Sequence, residues 1–80
     1  MVDWREHIHS DTAVLAGKPV IKGTRISVEL ILELLANGWT EEMILESYPN
    51  LNVVDIKAVF AYLREGVEQE LYFPLTLTTK

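Results

Sequence analysis

The stretch Ser27-Val28-Glu29-Leu30-Ile31-Leu32-Glu33-Leu34-Leu35-Ala36-Asn37-Gly38-Trp39-Thr40 decides how this chain folds. Ser27 offers a side-chain oxygen to the free N–H groups of a helix start. Of the residues from Val28 to Asn37 only Glu29, Glu33 and Asn37 are polar, and their spacing of four lays one narrow wet stripe on a helix. A helix so nearly apolar all round is expected to be the central, most buried one. Gly38 then ends it as a left-handed cap, with Trp39 placed to pack back on the last turn.

Downstream, Thr40 caps a second helix running from Glu41 to about Tyr48. Glu41 and Glu42 complement the positive end of its dipole. Met43, Ile44 and Tyr48 fall on one face, and Pro49 stops the helix. The turn Pro49-Asn50-Leu51 leads to Asn52, the cap of a third helix, with Asp55 three residues on completing a shortened capping box. Ile56, Val59, Phe60, Leu63 and Val67 recur at spacings of three and four, an apolar stripe for the core. The expected fold is mainly α: a three-helix, helix-turn-helix-like bundle over residues 27–67 with a short β- and turn-rich segment before it.

Helices 41–48 and 53–65, joined by about four residues, have the layout of a helix-turn-helix, whose second helix enters the DNA major groove. Opposite its core stripe this helix offers Asp55, Lys57, Ala58, Ala61, Tyr62, Arg64 and Glu65. Lys57, Tyr62 and Arg64 are the candidate nucleic-acid contacts, while the acids beside them would repel phosphate. A plain solvated face remains the alternative.

Upstream, in the strand- and turn-rich segment 1–26, Trp4 to Thr24 lacks helical periodicity. His7-Ile8-His9 alternates like a short strand, Val14-Leu15 and Val20-Ile21 are apolar pairs, and Gly17, Pro19 and Gly23 punctuate them as turns. Gly17 and Gly23 are expected to adopt backbone angles that other residues avoid. The loop presents Lys18, Lys22 and Arg25, three cations that could grip phosphates or an acidic partner surface. It lacks the residue order of a Walker loop. The charges could equally solvate a hairpin, with Arg25 tying it to a helical carboxylate. His7, His9 and Asp11 would share one strand face and are a conceivable metal set, but adjacent alternate positions rarely converge, so they read as solvent-exposed strand residues. No metal and no cofactor are expected.

Eighty residues make a single domain. A chain this short buries only about 60% of the surface its unfolded form exposes. A hydrophobic fraction of 49% points to a fully used core or a subunit interface. With no cysteine there is neither a disulfide framework nor a thiolate metal site, and small domains without such staples tend to oligomerise, so a homodimer is expected. Twelve acids against seven bases give a net charge of −5, which counts against a dedicated high-affinity nucleic-acid coat. That charge is polarised: residues 12–28 carry +3, whereas residues 29–70 hold nine acids and two bases. No apolar run is long enough to span a membrane and the first residues resemble no signal segment, so the expected location is cytoplasmic. Ser10, Ser27 and Ser47 have no nucleophile elbow around them and Glu41-Glu42 suit a helix start, so catalysis is not expected. Within the tail, residues 68–80, the run Leu71-Tyr72-Phe73-Pro74-Leu75-Thr76-Leu77 is apolar and rich in strand formers. Leu71, Tyr72, Phe73 and Leu75 are its candidate partner-binding residues.

The run Val14-Leu15-Ala16-Gly17-Lys18-Pro19-Val20-Ile21-Lys22-Gly23-Thr24-Arg25-Ile26-Ser27-Val28 resembles the signature of the bacterial and archaeal family catalogued as domain of unknown function 433. The spacing onward through Leu34-Leu35-Ala36-Asn37-Gly38-Trp39-Thr40-Glu41-Glu42 and Tyr48-Pro49-Asn50-Leu51-Asn52 fits it too, so the likeness covers roughly residues 5–65. The resemblance implies a homeodomain-like or winged-helix-like fold. It also implies a role as the antitoxin of a toxin–antitoxin pair, often encoded beside a PIN-like nuclease, with Lys18, Lys22 and Arg25 at matching positions of the block. On this reading the chain sequesters that nuclease through its apolar tail and contacts operator DNA through its helical core. The competing expectation is a protein-interaction or dimerisation module with no nucleic-acid role.

Overall fold

The computed structural model describes residues 2–69. Its order is a 3-10 turn at Trp4–Glu6, strand β1 (Ile8–His9), a turn at Leu15–Gly17, strand β2 (Val20–Ile21), then α1 (Val28–Ala36), α2 (Glu41–Ser47) and α3 (Val53–Glu68). The mainly helical, three-helix architecture with a β- and turn-rich start is therefore present. Leu71, Tyr72, Phe73 and Leu75, the candidate partner-binding residues, lie outside the described residues.

Each helix starts where its cap stands. Ser27 Oγ accepts from the Leu30 N–H at 2.9 Å, and Thr40 Oγ1 accepts from the Met43 N–H at 3.1 Å. Asn52 and Asp55 form the full reciprocal box, each side chain accepting from the other's backbone N–H at 3.1 Å. These side chains satisfy donors that a helix start leaves without partners. At the far end of α1 the Trp39 N–H donates to Leu34 O and the Gly38 N–H to Leu35 O, both at 3.0 Å. That is the Schellman pattern, and it needs the φ of +92° that Gly38 adopts.

The strands β1 and β2 pair antiparallel, Ile8 opposite Ile21 and His9 opposite Val20. The chain then doubles back: the Ile21 N–H donates to Ile26 O at 2.9 Å, and Val20 bridges Ser27. Residues 22–25 are thus the tip of a tight hairpin leading directly into α1. Before β2 the backbone makes a left-handed turn, with φ of 48° at Leu15, 56° at Ala16 and 86° at Gly17. The glycine was the foreseeable part. The two residues before it share its conformation at a cost of roughly 1–2 kcal/mol each.

The core gathers Ile8, Ile21, Val28, Ile31, Ile44, Leu51, Ile56, Ala58 and Val59, so strands and all three helices contribute. Two expectations are corrected here. α1 is not the most buried helix: only Val28 and Ile31 are fully buried in it, while Leu30, Leu32, Leu34 and Leu35 stay partly exposed. α3 takes the centre, burying Asp55, Ile56, Ala58, Val59 and Gly66. It does so because it is packed on two sides, by α2 on one and by the N-terminal segment with β1 on the other. The second correction follows from that second layer. Asp55 and Ala58, expected on the outer face, are buried, whereas Phe60 and Val67, expected in the core, are 46% and 65% exposed. Met43 likewise turns outward, leaving Ile44, Leu45 and Tyr48 to carry α2 onto the core.

Candidate interaction surface

The exposed side of α3 is the most distinctive surface of the molecule. Val53, Lys57, Phe60, Arg64 and Val67 are all exposed, and their spacing of four, three, four and three aligns them in one stripe along the helix. Val54 flanks the stripe at its start. Large apolar groups thus alternate with cations on the outer face of the second helix of the helix-turn-helix pair.

The candidate cations have different surroundings. Lys18 Nζ donates to Glu29 Oε1 at 2.9 Å, which ties the loop to the first turn of α1. Arg64 pairs with Glu68 at 3.2 Å, one turn on. Exposed pairs of this kind contribute roughly 0–1 kcal/mol, so either cation can exchange its partner at little cost. Lys22 and Arg25 lie exposed at the hairpin tip, and Arg25 makes no ion pair with a helical carboxylate among the described residues. Lys57 likewise has no ion pair among them. Tyr62 is only partly exposed. Its ring meets that of Trp4 edge-on at 4.9 Å, because the N-terminal segment covers this side of α3. Sequence reasoning missed the apolar members of the stripe, since Phe60 and Val67 have the spacing of core residues.

His7, His9 and Asp11 do not converge. His7 Nδ1 lies 3.1 Å from Asp55 Oδ1, so His7 is half-buried and engaged, not a free strand residue. A carboxylate only accepts, so Nδ1 carries the hydrogen of this bond. Asp11 Oδ1 accepts from the Ala13 N–H at 2.9 Å within its own turn, and His9 is exposed. Among the described residues no group of three acids or histidines could hold a metal ion.

A cleft of about 290 Å³ lies between residues 2–5 and the final turns of α3. Its charges close on one another: Arg5 Nη2 donates to Glu65 Oε2 at 2.8 Å, and its guanidinium carbon lies 4.4 Å from the Trp4 ring centroid. The Trp4 Nε1–H is buried there without a hydrogen-bond partner among the described residues. Among the described residues no helix is long and apolar enough to cross a membrane.

Fold and surface together define a small three-helix domain of helix-turn-helix layout, entered through a β-hairpin. The chain belongs to the DUF433 family: the model for "Protein of unknown function (DUF433)" matches residues 8–63. It is 34% identical over 58 residues to the uncharacterized protein y4eO of Sinorhizobium fredii (strain NBRC 101917 / NGR234), a match covering 72% of this chain but 26% of that protein. Its fold is similar to the crystal structure of a DUF433 member protein from Anabaena variabilis ATCC 29413, with a TM-score of 0.70 and 29% identity. That likeness covers 78% of this chain and 61% of the other. The chain thus spans about a quarter of the curated relative's length.

Proposed function

We propose that this chain is an antitoxin-type binding protein, a cytoplasmic homodimer that captures a PIN-like nuclease, and not an enzyme. The family resemblance supplies the class of partner. The observation that carries the capture of a protein is the outer stripe of α3, where Val53, Phe60 and Val67 stand exposed beside Lys57 and Arg64. Apolar groups interleaved with cations suit a protein surface better than a phosphate backbone. Of the serines considered, Ser27 caps α1, and the His7–Asp55 pair joins the approach to β1 to α3. The partly exposed leucines of α1, above all Leu30, which is not among those packed against the core, supply the apolar surface for a dimer.

Co-expression with a PIN-like nuclease from the same host tests this reading. The chain is expected to co-purify with the nuclease and restore growth. A chain that does neither is not its antitoxin.

A second role, contact with operator DNA, is favoured by Lys22, Arg25 and Lys57, which have no ion pairs among the described residues. A mobility-shift titration against the upstream promoter region should then show a complex that weakens steeply with salt. It should be lost when these three become alanine. Without such a complex, with or without the nuclease, the domain is a protein-interaction module alone.

A further inference from the structure

We propose that the outer stripe of α3 seats an acidic amphipathic helix, an inference that names the partner element and rests on the reading of this chain as a protein that captures another. Val53, Phe60 and Val67 are seven residues apart in sequence, with Lys57 and Arg64 set between them. Seven-residue spacing is the geometry by which one helix lies along another, because 3.5 residues per turn keeps the same seam facing the partner. The stripe runs almost the whole of α3, from Val53 to Val67, and its exposures of 46% at Val53, 46% at Phe60 and 65% at Val67 leave all three apolar layers open.

Charge decides what fits. The chain carries −5, yet between the apolar layers of this seam stand Lys57 and Arg64, and the acid beside its last layer, Glu68, is already paired with Arg64. The seam therefore attracts an acidic element, although the chain as a whole is itself acidic. A second copy of α3 is the obvious rival and is electrostatically wrong in both orientations. Aligned parallel, Lys57 meets Lys57 and Arg64 meets Arg64. Aligned antiparallel about Phe60, each Lys57 comes beside the other copy's Arg64. Either arrangement places like charges together along an apolar seam, which costs several-fold more there than in open water. An incoming helix with carboxylates flanking its apolar residues meets Lys57 directly and displaces Glu68 from Arg64, whose pairing is exposed and weak. Phe60, at the midpoint, is the anchoring side chain.

The test uses the full chain and two designed helical peptides, both with leucines at heptad spacing. One carries glutamates flanking the leucines and the other lysines, and binding is read by fluorescence anisotropy. The acidic peptide is expected to bind at least about tenfold more tightly than the basic one, less so as salt rises. Phe60→Ala should weaken it roughly 30-fold, and the charge reversal Lys57→Glu with Arg64→Glu should invert the preference. Circular dichroism of these exposed-site variants should match that of the starting chain, separating lost binding from lost folding. Equal binding of the two peptides, or of neither, overturns the proposal. So does a dimer that Phe60→Asp converts to monomer, which would give the seam to a second copy. If the nuclease still co-purifies with the charge-reversed, Phe60→Ala chain, the seam is not its seat although the capture stands. If the acidic peptide binds as described while no nuclease is captured, the seam stands and the antitoxin reading fails.

Discussion

His7 Nδ1 and Asp55 Oδ1 lie 3.1 Å apart, although 48 positions separate them in the chain. The other oxygen of the same carboxylate accepts from the Asn52 N–H and closes the capping box of α3. His7 also reaches in the other direction, its carbonyl accepting from the Lys22 N–H at 2.8 Å. One histidine thus joins the start of α3, the approach to β1 and the hairpin tip. Asp55 is 7% exposed, and a buried carboxylate is tolerated where its oxygens are satisfied.

Replacing Asp55 with alanine should remove the cap and the long-range bond together. The expected loss is about 2 kcal/mol, cap and hydrogen bond each contributing about half. Urea denaturation of His7→Ala, Asp55→Ala and the double variant measures the link. A coupling of about 1 kcal/mol is expected between the two sites. Strictly additive losses would mean the pair contributes nothing.

Tyr62 should act on folding, not on recognition. Its edge-on contact with Trp4 is of a type that contributes about 0.5–1.5 kcal/mol beyond burial. Tyr62→Ala is expected to lower the urea midpoint and alter Trp4 fluorescence, and binding by the folded fraction should be unchanged. A variant with full stability and lost binding would return Tyr62 to the recognition surface.

Neighbouring positions of α3 should part company. Ile56→Ala empties a fully buried site and is expected to cost about 2–5 kcal/mol, a large share of the roughly 5–15 kcal/mol that holds a domain together. Phe60→Ala, at a half-exposed site, should cost under about 1 kcal/mol. Thermal melts of the two decide it, since similar losses would place Phe60 in the core.

Gly38→Ala should destabilise by about 1 kcal/mol, because its φ of +92° disfavours any side chain. A Cβ there would meet none of the described residues within 4 Å, so the loss is conformational and not steric. Unchanged melting would show that the cap relaxes without harm.

The helices, their order and nearly all their ends were determined by sequence alone. The reason is local: Ser27 reaches Leu30, Thr40 reaches Met43, and Asn52 and Asp55 reach each other within a single turn. The family resemblance was equally legible, because the block from Gly17 to Arg25 is contiguous. Tertiary structure alone decided which faces are wet. Spacing places Phe60 with Val59 on an apolar arc, but it cannot announce that Trp4 and His7 will return to cover Tyr62 and Asp55. That second layer moved the outer face of α3 around the helix, exposing Phe60 and Val67 and setting the Tyr62 ring against Trp4. It also placed Arg5 on Glu65, sixty positions away. Contacts between distant segments depend on how whole layers pack, and no periodicity within one helix encodes them.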